Sequence, residues 1–171
     1  MKNRVMIIGG VQAGKSTLMN ALLGKYRQAK KTQALVFDDW IVDTPGEYIE
    51  NPMYYRNIMA TSLEVTHVIY LQDATSSRSV FPPQFSLGIP KIQIGVITKI
   101  DAPLADVDRA TALLQNVMTH GPIVKTSSWQ NLGIELIAPL IQLNTNEEIR
   151  QFVKDRDSLI SYIALSGERE E

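Results

Sequence analysis

Residues 9–16 read Gly9-Gly10-Val11-Gln12-Ala13-Gly14-Lys15-Ser16, and they constrain the fold more than any other stretch. They match the phosphate-binding pattern G-x-x-x-x-G-K-[ST] without a mismatch. The flanks suit it. Arg4-Val5-Met6-Ile7-Ile8 is a short apolar run fit for a buried strand, and the segment from Ser16 to Leu23 has helical spacing and stops at Gly24. Glycines let such a loop curl so that successive backbone N–H groups point inward at phosphate oxygens, and the helix N-terminus adds partial positive charge. Lys15 is then the residue that reaches the outer phosphates and acts on them, and the Ser16 hydroxyl is a Mg²⁺ ligand. Thr17 is counted with the same binding loop.

The second constraint is Asp43-Thr44-Pro45-Gly46, at the end of a strand formed by Trp40-Ile41-Val42-Asp43. Alone it is a turn, since Pro and Gly are both turn formers. Behind a phosphate loop, the Asp43 carboxylate serves Mg²⁺ and the Gly46 N–H meets the terminal phosphate. A preceding strand, 34–37, pairs with this one as a hairpin through Asp38-Asp39. Between the first helix and that hairpin lies the polar, basic segment 25–33. It reads either as a solvated loop or as a loop beside the phosphates, in which Thr32 offers oxygen to Mg²⁺ or the outer phosphate.

The third constraint is Thr98-Lys99-Ile100-Asp101, delivered by the apolar run 91–98. It matches [NT]-K-x-D, whose Asp accepts two hydrogen bonds from the Watson–Crick edge of guanine. Adenine leaves that carboxylate badly paired, and such mismatches discriminate by roughly 10⁴-fold. The aliphatic stem of Lys99 can cover the base while its ammonium reaches back toward the phosphate loop. Looser still is Thr126-Ser127-Ser128, after the strand at 122–126. Ser127 and Ser128 could offer backbone N–H groups to the guanine O6.

The remaining chain reads as a loop at 47–52, a helix from about Met53 to Ala60, a strand at 67–73, and a Ser/Pro-rich loop at 74–90 with a short helix near 84–87. A helix at 106–118 and another after Gly133 follow. His67 reads as structural, because no Cys, His or carboxylate partners it in sequence. Ile149, Phe152, Val153, Leu159, Ile160 and Ile163 form a stripe of helical period, so residues 145–171 are expected to be an amphipathic helix and tail beside a GTP-binding domain spanning 1–144. That helix either packs on the domain or docks a partner. Strands alternating with helices give an α/β/α sandwich of small G-protein type, with a mainly parallel six-stranded sheet and one antiparallel strand.

At 171 residues with 44% apolar content the chain is globular, and a net charge of −1 argues against general nucleic-acid or membrane-surface binding. No stretch is apolar enough to span a bilayer, no signal peptide is expected, and the lack of cysteine fits a reducing cytoplasm.

Four motifs now stand in GTPase order. The less general stretches narrow the resemblance: A-G-K-S-T-L-M-N-A-L-L-G at 13–24, K-T-Q-A at 31–34, D-T-P-G-E-Y at 43–48 and T-K-I-D-A-P-x-A-D at 98–106. Over residues 3 to about 143 the chain resembles the EutP/PduV family, which accompanies ethanolamine and propanediol utilisation and bacterial microcompartments. The resemblance implies GTP or GDP with Mg²⁺, phosphate contacts from 9–16, metal contacts from Ser16 and Asp43, and base contacts from Thr98, Lys99, Asp101 and Ser127. It makes Thr32 the first-switch residue and implies partners among pathway or shell proteins. One position departs from the wider class. Where many GTPases carry a water-orienting Gln after the D-x-x-G glycine, this chain has Glu47, so hydrolysis is expected to be slow. A small-molecule kinase of acetate type, with Glu47 as base, and a non-catalytic targeting module are the alternatives.

Overall fold

The computed structural model describes residues 2–24, 36–38, 40–154, 156 and 158–164. Its centre is a seven-stranded sheet in the order β2-β3-β1-β4-β5-β6-β7. The strands are β1 (Val5–Ile8), β2 (Val36–Asp38), β3 (Ile41–Asp43), β4 (His67–Asp73), β5 (Ile92–Thr98), β6 (Gly121–Lys125) and β7 (Ile160–Ile163). The central five are mutually parallel, while β2 and β7 are antiparallel to their neighbours at the two edges.

Parallel strands covered on both faces carry apolar side chains on both, and these do. In β1 all four residues are buried. Val5 and Ile7 join one core, and Met6 and Ile8 the other; β4 splits the same way, with Ile69 and Leu71 opposite Val68 and Tyr70. The first core is closed by α1 (Lys15–Leu22), α5 (Ile137–Ile141) and α6 (Asn146–Lys154), through Leu18, Ile137, Leu140 and Ile149. The second is closed by α2 (Glu47–Glu50), α3 (Tyr55–Ser62) and α4 (Val107–Val117), through Ile49, Ile58 and Leu114. The expected α/β/α sandwich of P-loop NTPase type is therefore present, with one strand more than the sequence reading placed. Leu18 is fully buried and anchors α1 to the sheet, a burial that stabilises by roughly 2 kcal/mol.

Two segments depart from expectation. The single helix expected beyond 145 is instead α6 followed by β7. Leu159 and Ile160 fit the helical stripe, but Ile160-Ser161-Tyr162-Ile163 is rich in β-branched and aromatic residues. Pairing them antiparallel to β6, with Ile123 opposite Ser161, fills what would otherwise be an open sheet edge. The other departure is at 47–50, expected as loop, which forms the short helix α2 directly after Gly46.

His67 is structural, as expected. Its ring is buried; Nε2–H donates to the Leu143 carbonyl at 2.8 Å, and Nδ1 lies 2.7 Å from the Thr66 hydroxyl. Burial holds its pKa below the ordinary value, with the Leu143 hydrogen bond opposing that shift.

Candidate functional site

Because β1, β3, β4, β5 and β6 run parallel, their carboxyl ends share one edge of the sheet, where ligands of such folds bind. Each sequence motif leaves a strand at that edge. The loop after β1 turns through Gln12 at φ 63° and Gly14 at φ 96° before α1 starts. The Gly14 conformation is one that a side chain would resist. Lys15 is buried, and its ammonium donates to the Gly9 carbonyl at 3.0 Å and the Gly10 carbonyl at 3.3 Å. Burial lowers its pKa, while the charges of Asp43, Glu50 and Glu47 act to keep it protonated.

Those three carboxylates come from the second motif and α2. Asp43 is fully buried beside Ile7, its partner in the β1–β3 register. Gly46 lies flat against the loop, so close that an added Cβ would stand 2.7 Å from the Val11 nitrogen. No residue but glycine fits there without moving backbone. Glu47 opens α2, and its Oε2 has no hydrogen-bond partner among the described residues. One turn on, Glu50 Oε1 accepts from the Val11 N–H at 2.9 Å. A carboxylate thus sits on the loop's own amide, a kind of donor that a phosphate oxygen would also seek.

The third motif is tied to the first. The Thr98 hydroxyl donates to the Ala13 carbonyl at 2.8 Å, and the Lys99 ammonium donates to the Gln12 carbonyl at 2.8 Å. Lys99 holds a left-handed backbone, φ 62°, a strained state for a residue with a Cβ. Its ammonium also pairs with Asp73 Oδ2 at 2.7 Å. Burial would raise the Asp73 carboxyl, but hydrogen bonds from Lys99 and Thr75 outweigh it and the pKa is lowered. Beside this segment opens a cleft of about 330 Å³ lined by Gly14, Thr17, Thr98, Lys99, Asp101, Ala102, Ser128 and Trp129.

Comparison with known proteins decides the family. The PduV-EutP family model, described as "Ethanolamine utilisation - propanediol utilisation", matches residues 1–143. This chain belongs to the EutP/PduV family. It is 36% identical over 147 residues to the protein named "Probable acetate kinase EutP" of Escherichia coli (strain K12), covering 85% of this chain and 92% of that one. It is 37% identical over 148 residues to the protein of the same name from Salmonella typhimurium, again 85% of this chain and 93% of the relative. The "Propanediol utilization protein PduV" of Citrobacter freundii is 32% identical over 146 residues, 84% of this chain and 95% of that protein. In this EutP/PduV chain, α6 and β7 lie beyond the matched region.

The structure brings most of the candidate residues onto one edge. The 9–16 loop, Thr17, Asp43, Gly46, Glu47, Thr98, Lys99, Asp101 and Ser128 all stand there. Ser127 does not face the cleft. It is buried, its N–H donates to the Leu132 carbonyl, and its hydroxyl accepts from the Gln130 N–H, so it braces the loop that presents Ser128. Thr32 and the K-T-Q-A stretch lie outside the described residues. Among the described residues no cluster of three His, Cys, Asp or Glu forms a protein-only metal cage. The Ser16 hydroxyl and Asp43 carboxylate are an all-oxygen donor set, which suits a Mg²⁺ that takes its other ligands from water and phosphate.

Three residues at this edge escaped the sequence reading: Glu50, Asp73 and Trp129. Glu50 had a signal, since Glu47 and Glu50 are one helical turn apart and share a face once α2 forms. Asp73 ends β4 at the same edge as the motifs. No helix among the described residues is long and apolar enough to cross a membrane.

Proposed function

We propose that this chain binds GTP or GDP with Mg²⁺ at the carboxyl edge of its sheet, hydrolyses GTP slowly, and serves ethanolamine or propanediol utilisation as a nucleotide-dependent component of a bacterial microcompartment. The observation that carries the reading is the coupling of the two motif segments. Thr98 and Lys99 are hydrogen-bonded to Ala13 and Gln12, and Gly14, Thr17, Lys99 and Asp101 line one cleft, which supports a single ligand spanning both segments. Gly9 to Thr17 would cradle the phosphates, with Lys15 neutralising the outer ones; Ser16 and Asp43 would hold Mg²⁺, with Thr32 as a further candidate ligand. The metal, when bound, neutralises charge on the phosphates. Asp101 would accept from the guanine edge, with Ser128 beside it. Glu47 would accept a proton from water, but its charge near the outer phosphate would work against fast turnover.

Titration with GTP, GDP and ATP in Mg²⁺ tests this, with GTP preferred over ATP by at least about 100-fold. Equal affinities would remove the guanine assignment.

The names of the Escherichia coli and Salmonella relatives favour a second reading, phosphoryl transfer to acetate. Here an acetate oxygen would attack the terminal phosphorus, the bond to the nucleoside diphosphate would break, and acetyl phosphate would form. Asp43, Glu47 and Glu50 are the carboxylates whose charges act on Lys15, and attack by acetate, an anion that needs no base, leaves Glu47 without a role. The GTPase reading is therefore preferred. Trapping acyl phosphate with hydroxylamine decides between them: acetate-dependent product at a rate matching nucleotide consumption would favour the kinase.

A further inference from the structure

Trp129 has no place in the motifs, yet it lines the same cleft as Lys99 and Asp101. It is 91% exposed, the most exposed of the large apolar side chains among the described residues. A single exposed apolar residue is ordinary on a protein surface. What distinguishes this one is the turn that carries it. The backbone closes around it in two reciprocal hydrogen bonds, Ser127 N–H to the Leu132 carbonyl at 3.0 Å and Leu132 N–H to the Ser127 carbonyl at 2.9 Å. Inside that ring the Gln130 N–H donates to the Ser127 hydroxyl at 3.0 Å. Ser127 is itself fully buried two residues beyond β6, and the Thr126 N–H before it donates to the Ile97 carbonyl of β5, so the loop is fixed to the sheet. The braced turn sets Trp129 at the rim of the cleft, and a ligand that covers the indole need not order the loop first.

We propose that Trp129 stacks on the purine base, closing the cleft on the side contributed by the β6 loop, while the stem of Lys99 lies on the side contributed by β5. This rests on the nucleotide reading above and adds a residue to it. Stacking on an indole is indifferent to the edge pattern of the base. Trp129 therefore supplies affinity for any purine, and Asp101 supplies the choice of guanine.

The test uses the full chain in a Trp40→Phe background, which leaves Trp129 as the only tryptophan. GDP, GTP, ATP and inorganic tripolyphosphate are titrated with Mg²⁺, following indole fluorescence and calorimetric heat together. Expected are a fluorescence change with the nucleotides, saturating with the heat, and none with tripolyphosphate. Trp129→Ala weakens GDP, GTP and ATP alike by about 10-fold, keeps the GTP-to-ATP ratio, and leaves tripolyphosphate unchanged, while Trp129→Phe retains most of the affinity. Nucleotide affinities within twofold of the parent in Trp129→Ala would overturn the stacking role and leave the nucleotide reading standing. A parent chain that binds tripolyphosphate but gains nothing from a base would overturn both.

Discussion

Lys15 and Lys99 mark the two ends of the site, and the fold treats them differently. Lys15 is 8% exposed and its ammonium is spent on two carbonyls of its own loop. Around it the loop is closed by Glu50 on the Val11 N–H and by Gly46 against the Val11 backbone. The side chain of Lys99 is 42% exposed, braced by Asp73, and faces an open cleft whose other walls include Asp101 and Trp129. At the first end a ligand must replace hydrogen bonds that the protein already makes. At the second it enters a preformed slot and only displaces water. The phosphate end should therefore govern how tightly and in what charge state a ligand is held, and the base end which ligand is chosen.

The largest effect is expected at the open end. Asp101→Ala should collapse the preference for GTP over ATP, by roughly 10⁴-fold if the carboxylate makes both hydrogen bonds to guanine. Tripolyphosphate binding should stay as it was. Competition titrations read both, and a preference that survives the substitution would break the division between the ends.

At the closed end, Lys15→Met should weaken GTP, ATP and tripolyphosphate together, by about 100-fold, the scale of a lost charge-assisted hydrogen bond. The variant also leaves the Gly9 and Gly10 carbonyls without their donor, so it should be less stable than the parent. Denaturation curves beside the titrations separate the two effects. Loss of GTP binding with tripolyphosphate binding intact would put Lys15 outside the phosphate contacts.

A smaller effect of opposite sign is expected from Glu50→Gln. The substitution removes a negative charge from the Val11 amide, so triphosphate affinity should rise, by about 5-fold for an exposed charge. A fall would mean that Glu50 helps to hold the ligand or its metal.

The smallest lies away from both ends, at His67. Its folded pKa is below its unfolded one, so the unfolded chain binds the proton more readily. The stability it contributes is complete above the unfolded value, near 6.5, and is lost as pH falls through the folded value. The melting temperature should drop on acidification below pH 6.5, less so in His67→Gln, with no change in the GTP-to-ATP ratio at neutral pH.

The same contrast explains what was legible in the sequence. Chemistry carried by contiguous residues could be read. The loop at 9–16, D-T-P-G and T-K-I-D each announce a strand end and a turn, and the structure sets all three on one edge. Contacts made by residues distant in sequence could not. Glu50 meets Val11 only after α2 forms, and Asp73 meets Lys99 only because β4 and β5 lie side by side. Ser127 and Ser128 are neighbours in sequence, but the bridge to Leu132 turns one into the core and leaves the other at the cleft. The segment 159–163 misled for another reason. Over five residues the helical and strand periods share apolar positions, and the vacant edge of β6 decided between them.

The central claim is that both ends serve one guanine nucleotide, and the structure of the full chain with Mg²⁺ and GDP tests it most directly. The phosphates are expected against the 9–16 loop within reach of Lys15, and the base in the cleft with its Watson–Crick edge on the Asp101 carboxylate. Phosphates in the loop with the base turned away from Asp101 would contradict it.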